Sequence, residues 1–213
     1  MTKWICMSAI LFLSGNAGAA PLIINGGFED LGGNTVSGDW SYFASLPGWS
    51  GVNNIEVQKD GFLANGFGDY YIELNAHPGQ NIPFQLQSDS FSTVLGQAYL
   101  LSFFAQRRRA DDGEFSFMVD GYSQSVSSHV TSGFTLFTYN FIGTGSLTNL
   151  VFTSGQSGSD TIGHFLDNVS LTTVSSVPEP GMLALLLTGM MGIGLSRCHG
   201  CLKKVSVLSH KHS

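Results

Sequence analysis

The chain has 213 residues, a formal net charge of −6 and only 11% charged side chains, with 27 glycines and many Ser, Thr and Asn in their place. Residues 20–176 carry 14 Asp and Glu against four bases (Lys59, Arg107, Arg108, Arg109), an acidic excess that excludes a phosphate backbone and hence nucleic acid as a natural partner. The Phe, Tyr, Leu and Val content excludes disorder, and Cys6, Cys198 and Cys201 lie near the two ends, which excludes a disulfide framework for the middle.

Residues 1–19 read as a secretory signal. Lys3 provides the positive start, Trp4 to Leu13 the apolar stretch, and Ala17-Gly18-Ala19 the small-x-small pattern that signal peptidase cuts, before Ala20. The apolar stretch is too short to serve as a mature membrane span.

From residue 20 to 174 the pattern predicts strands and no amphipathic helix. Ile72 and Leu74 alternate with Tyr71, Glu73 and Asn75; Phe84 and Leu86 alternate with Gln85 and Gln87. Tyr99, Leu101 and Phe103 face one way and Leu100, Ser102 and Phe104 the other, as expected of a strand covered on both sides. Phe115, Phe117 and Val119 alternate with Glu114, Ser116 and Asp120, with Met118 the apolar exception, and Phe137, Tyr139 and Phe141 alternate with Thr138, Asn140 and Ile142. Pro47-Gly48, Asp60-Gly61, Pro78-Gly79, Asp112-Gly113, Asp120-Gly121 and Ser132-Gly133 supply turns between them. Short strands at this spacing predict one all-β domain, an antiparallel two-sheet sandwich.

Several segments in order carry a resemblance. Leu22-Ile23-Ile24-Asn25-Gly26-Gly27-Phe28-Glu29 looks like an opening strand, and Leu46-Pro47-Gly48-Trp49, Asp69-Tyr70-Tyr71-Ile72-Glu73-Leu74 and Gly96-Gln97-Ala98-Tyr99-Leu100-Leu101-Ser102-Phe103 follow it. Phe165-Leu166-Asp167-Asn168-Val169-Ser170-Leu171 closes the series. Together they resemble the galactose-binding-like jelly rolls that include many carbohydrate-binding modules, and in particular uncharacterised extracellular domains of plant cell walls. The resemblance implies a jelly-roll sandwich that associates with polysaccharide. It also implies one structural calcium ion shared by Glu29 and Asp167, whose oxygen donors would clip the two ends of the domain together. The competing expectation is that Glu29 is a solvated turn residue and Asp167 binds nearby backbone amides.

A sugar site needs aromatic faces and a few polar groups. Trp40, Tyr42, Trp49, Phe62, Phe67, Tyr70 and Tyr71 fall in or beside loop-like stretches; Trp49 is expected in the core, and Phe62 and Phe67, flanking Asn65 in a Gly-rich loop, at the surface. The expected ligand contacts are Phe62, Asn65, Phe67, Tyr70 and Arg107. Arg107, Arg108 and Arg109 precede Asp111 and Asp112, which suggests a loop salt-bridge network or a contact for acidic polysaccharide. His77, His129 and His164 are isolated, no Gly-x-Ser-x-Gly elbow occurs, and enzymes of this size and fold are uncommon, so catalysis is not expected.

Residues 175–213 differ in kind. Val177-Pro178-Glu179-Pro180 precedes the uncharged residues 181–195, then Arg197, Lys203 and Lys204. Two prolines start a helix cleanly, the run is short for a membrane helix, and the bases after it would stay cytoplasmic. Pro178, Glu179, Pro180, the Gly- and Leu-rich run and Arg197 closely resemble the PEP-CTERM sorting signal. That resemblance implies transient membrane anchoring through 181–195 and processing by an exosortase-type membrane protease. A single arginine and a longer tail, with Cys198-His199-Gly200-Cys201, depart from the usual signal.

The sequence thus points to an exported, non-catalytic protein at the cell surface or in an exopolysaccharide or biofilm matrix, binding polysaccharide. A structural matrix protein without a discrete ligand and a small secreted hydrolase are the alternatives.

Overall fold

The computed structural model describes residues 21–75, 83–127, 130–155 and 162–174. Signal residues 1–19, the sorting residues Pro178, Glu179, Pro180 and Arg197, and His77 and His129 lie outside the described residues. Among the described residues there is no α-helix, and no helix long and apolar enough to cross a membrane.

The described residues form twelve strands: β1 (Trp40–Leu46), β2 (Trp49–Lys59), β3 (Tyr70–Leu74), β4 (Gln85–Ser88), β5 (Phe91–Ser92), β6 (Ala98–Arg107), β7 (Phe115–Val119), β8 (Tyr122–Val126), β9 (Thr135–Ile142), β10 (Leu147–Thr148), β11 (Leu150–Thr153) and β12 (His164–Thr173). All pair antiparallel. Turn chemistry sets the hairpins. Pro47-Gly48 is a two-residue link from β1 to β2, with Gly48 at φ 81° as a proline-led turn requires. Asp120-Gly121 joins β7 to β8 with both residues at positive φ (49° and 78°), the primed turn that matches strand twist.

One hydrogen-bonded path, β8-β7-β11-β4-β2-β3-β12-β6-β9, makes two layers because β2 changes partner along its length. Its first residues, Trp49 to Val52, pair with β4, and Glu56 to Lys59 pair with β3. Between them Asn53 and Asn54 take φ 84° and 107°, which turns the strand from one layer into the other. The first sheet is therefore β8-β7-β11-β4 with the start of β2, and the second is the end of β2 with β3-β12-β6-β9.

Strict alternation puts the apolar sets between the layers. Leu101 and Phe103 of β6, Phe117 of β7, Phe152 of β11 and Leu86 of β4 are buried there. Phe103 sits at the centre, its ring 5.2 Å from Phe152 and 5.6 Å from Phe137. β6 is not buried on both sides as its sequence suggests: Tyr99, Leu101 and Phe103 are buried, while Leu100, Ser102 and Phe104 are half-buried on the outer face. As expected, Trp49 is in the core, with Nε1 donating to the Asn25 carbonyl at 3.0 Å.

Residues 22–29 do not form the expected opening strand. Asn25 and Phe28 take positive φ (52° and 59°), which breaks the extended ribbon. The segment still flanks β12, where Leu22 N donates to the Leu171 carbonyl at 3.0 Å and Val169 N to the Gly26 carbonyl at 2.8 Å. β12 is itself bulged between Asp167 and Ser170, with Asn168 at φ 52°. The extra residue lets Asp167 face outward while Val169 and Leu171 face the core. A Cβ on Gly26 would stand 1.8 Å from the Val169 carbonyl oxygen. Gly26→Ala is expected to cost about 3 kcal/mol, read as a lower urea midpoint at unchanged slope, because backbone rather than a flexible side chain must move.

Candidate functional site

The outer face of the second sheet is roofed by the loop between β2 and β3. Acceptor side chains from the loop itself (Asp60), from β3 (Tyr71) and from distant segments (Glu29, Asp167) bind this loop through its backbone N–H groups. Asp60 Oδ1 accepts from Gly66 N at 2.6 Å, Asp167 Oδ2 from Phe67 N at 2.7 Å, and Glu29 from Asp69 N at 3.0 Å. The Tyr71 hydroxyl accepts from Leu63 N and Ala64 N at 3.2 and 3.1 Å. Under the loop Ala64, Tyr71 and Phe165 form a second small apolar cluster with Phe134 against it.

Glu29 and Asp167 are thus brought to the same loop. Asp167 is fully buried, and its other oxygen accepts from Asn168 N at 2.6 Å. Burial, helped by the nearby Glu29 and Asp60 and opposed by the two amide donors, raises its carboxyl to about 7. These oxygen-only donors fit calcium chemistry. Among the described residues, however, no three His, Cys, Asp or Glu side chains surround a common point. Both amide bonding and acidic crowding are present, so neither reading of Asp167 drawn from the sequence is set aside.

The expected sugar contacts separate. Phe62 and Phe67 are 41% and 43% exposed, but Phe67 packs on Phe104 with ring centres 4.2 Å apart. Asn65 lines a hollow of about 330 Å³ with Gln106 and Thr131. Tyr70 lines another of about 350 Å³ with Lys59, Asp60 and Asp69. Arg107 is held at the strand end, Nη2 donating to the Ser127 carbonyl at 2.9 Å. Of the neighbouring bases, Arg109 pairs within the loop as expected, with Asp112 at 3.6 Å and Asp111 at 3.7 Å, whereas Arg108 reaches out of it to Glu73 of β3 at 2.9 Å. His164 is buried beside Phe115, where desolvation holds its imidazole below the usual range.

Two arrangements escape a reading of the sequence. The first is a groove of about 500 Å³ on the outer face of the first sheet. Strand register aligns Gln85, Thr153, Ser116 and Ser125 in one cross-strand row, and Gln87, Val151, Met118 and Ser123 in the next. This face bears amides, hydroxyls and two apolar side chains, with no charge in either row. Its only signal in the sequence is that outward positions of four strands hold Gln, Ser and Thr where Lys and Glu are commoner. The second is a buried row on the second sheet, where Gln58 Nε2 donates to Glu56 Oε1 at 2.8 Å and to Glu73 Oε2 at 2.7 Å. Burial raises Glu73 to about 7, against the lowering effect of Arg108.

No protein-family model matches the sequence, and no curated protein matches it. Among solved structures, an apo form cyclase from Fischerella sp. is 17% identical, covers 75% of this chain and 98% of that chain, and has a TM-score of 0.53. A cyclase from Fischerella sp. TAU in complex with 4-(1H-indol-3-yl)butan-2-one gives 17%, 73%, 98% and 0.53. A CBM4 structure is 14% identical, covers 71% of this chain and 99% of that chain, and has a TM-score of 0.45. These cyclases correct one expectation. The expectation against catalysis rests partly on the rarity of enzymes of this size and fold, yet proteins named as cyclases have this fold and align over nearly their whole length. The architecture is therefore no argument against an enzyme. What the likeness shows of this chain is its fold, an antiparallel β-sandwich.

Proposed function

We propose that this chain is exported and that its sandwich domain binds polysaccharide through the groove on the first sheet. The observation that carries this reading is the uncharged double row of Gln, Ser and Thr around Met118 and Val151. A pyranose offers hydroxyls that both donate and accept, and C–H faces that favour an apolar floor. Hydroxyl and amide side chains also both donate and accept, so they match such a ligand without the desolvation cost of burying a charge. Export rests on the signal-like residues 1–19 and on Pro178, Glu179, Pro180 and Arg197. In this reading signal peptidase and an exosortase-type protease process the chain, and it acts at the cell surface or in an exopolysaccharide matrix.

Ser116→Arg places a long cation in the floor of the groove at a half-buried position. Retardation of the purified chain in gels containing neutral polysaccharide is expected to fall at least tenfold with this variant, at unchanged melting temperature. Unchanged retardation would move the site elsewhere. The exposed rings of Phe62 and Phe67 favour a second reading, in which the loop with Asn65, Tyr70 and Arg107 makes the contact; Phe62→Ala then takes the place of Ser116→Arg as the variant that loses binding.

The same reading includes one structural calcium ion held by Glu29 and Asp167, with Asp60 nearby. Support comes from the oxygen-only donor set and from the crowding of acidic groups at a fully buried carboxyl. The ion would tie residues 22–29, the β2–β3 loop and β12 together.

A further inference from the structure

The opposite face of the sandwich carries a second arrangement suited to hydroxyls. On β1, Trp40 and Tyr42 stand directly across from Gln58 and Glu56 in the antiparallel register, so all four side chains share the outer face of the second sheet. The two rings lie 6.3 Å apart, tilted by 32°, and remain 36% and 47% exposed. Beside them Glu56 and Gln58 are only 4% and 1% exposed. Both hydrogens of the Gln58 amide are committed, to Glu56 at 2.8 Å and to Glu73 at 2.7 Å. Glu73 is fixed in turn by Arg108 at 2.9 Å and by Gly163 N at 2.8 Å, so the amide cannot turn over without facing carboxylates with its oxygen. Gln58 Oε1 is then left as a buried acceptor without a hydrogen-bond partner among the described residues. Buried acceptors are almost always satisfied in folded proteins, and this one is closed to solvent as well as unpaired, so a ligand donor reaches it only where the side chains over it give way.

The chemistry selects the ligand. Aromatic rings receive the C–H face of a sugar ring, while an amide oxygen and a carboxylate receive its hydroxyl protons. Two carboxyl groups against one guanidinium disfavour an anionic sugar. We propose that Trp40, Tyr42, Glu56 and Gln58 form a second site for a neutral pyranose, and that the domain, holding one glycan chain on each outer face, cross-links polysaccharide. This rests on the groove reading above and adds bivalency to it. Two sites facing away from each other cannot both engage one short segment, so the second binding event recruits another chain.

The purified full chain is titrated calorimetrically with hexasaccharides of glucan, mannan and xylan type, and mixed with the corresponding polymers for turbidity and viscosity. The expected result is two bound hexasaccharides of one type per chain, and turbidity with its polymer. Trp40→Ala, and separately Tyr42→Ala, should halve the stoichiometry and abolish turbidity while gel retardation persists through the groove. Ser116→Arg should likewise leave one site and no turbidity. A stoichiometry of one in the wild type, or turbidity that survives both Trp40→Ala and Tyr42→Ala, overturns the proposal and leaves the groove reading standing. Retention of one site in Ser116→Arg that Trp40→Ala does not remove also overturns it. Absence of binding to every probe overturns both readings together.

Discussion

Phe103→Ala is expected to lower the stability of the domain by about 3–5 kcal/mol, the range for a fully buried phenylalanine whose site collapses only partly. Phe103 is the hub of the layer between the sheets. Its ring lies 5.2 Å from Phe152, 5.6 Å from Phe137, 5.8 Å from Phe117 and 5.9 Å from Tyr139. These partners come from β7, β9 and β11, so one truncation loosens three strands and both layers at once. For a domain of this size the loss corresponds to a fall in melting temperature of about 10 °C. Leu100→Ala, on the half-buried outer side of the same strand, should cost less than half as much. Equal melting temperatures for the two variants would show that the core does not lie where the alternation of β6 puts it.

The second large effect concerns pH and Asp167. Its carboxyl is raised from 3.8 to about 7, first by burial and then by Glu29 and Asp60. Between these values the folded chain holds a proton that the unfolded chain has lost. Stability therefore falls as pH rises from about 4 to about 7, by up to roughly 4 kcal/mol for a shift of this size. Glu73, raised from 4.5 to about 7, acts in the same direction. Without divalent cations the domain should melt higher at pH 5 than at pH 8. Asp167→Asn removes one titrating group at the cost of one acceptor toward the Phe67 or Asn168 amide, so it should make the profile shallower and leave the part due to Glu73. Calcium at the proposed site would oppose the trend, because the cation displaces the proton and binds only the folded form. Added calcium should raise the melting temperature more at pH 8 than at pH 5, and Asp167→Asn should lose that rise. A profile that does not fall from pH 5 to pH 8 would contradict the burial of Asp167; a fall that calcium leaves untouched would remove the metal and keep the burial.

Local pattern carried much of the architecture. Alternation in residues 71–74, 85–88, 98–107, 115–119 and 135–142 marks strands because side chains with a period of two must meet either core or solvent. Pro47-Gly48 and Asp120-Gly121 mark hairpins because few residues tolerate the φ values those turns need. The apolar run of residues 22–29 looks like a strand, but the positive φ of Asn25 and Phe28 breaks it, beside the Trp49 indole that donates to Asn25, the Val169–Gly26 hydrogen bond and the bulge in β12.

Sites were far less legible. Glu29 and Asp167 stand out only through their place in a series of resembling segments, and both accept hydrogen bonds from the β2–β3 loop. Glycine-rich surroundings point to exposure of Phe62 and Phe67 but say nothing of whether a ring packs on Phe104. Gln85, Ser116, Ser125 and Thr153 sit in four separate strands, and Trp40, Gln58 and Glu73 in three. Each looks ordinary in its own segment. Composition and periodicity determined that residues 20–174 are an acidic β domain without cysteine, its hydrophobic faces turned inward. Only tertiary structure decided which outward residues share a row, because strand order and register are set by long-range pairing that no single segment encodes.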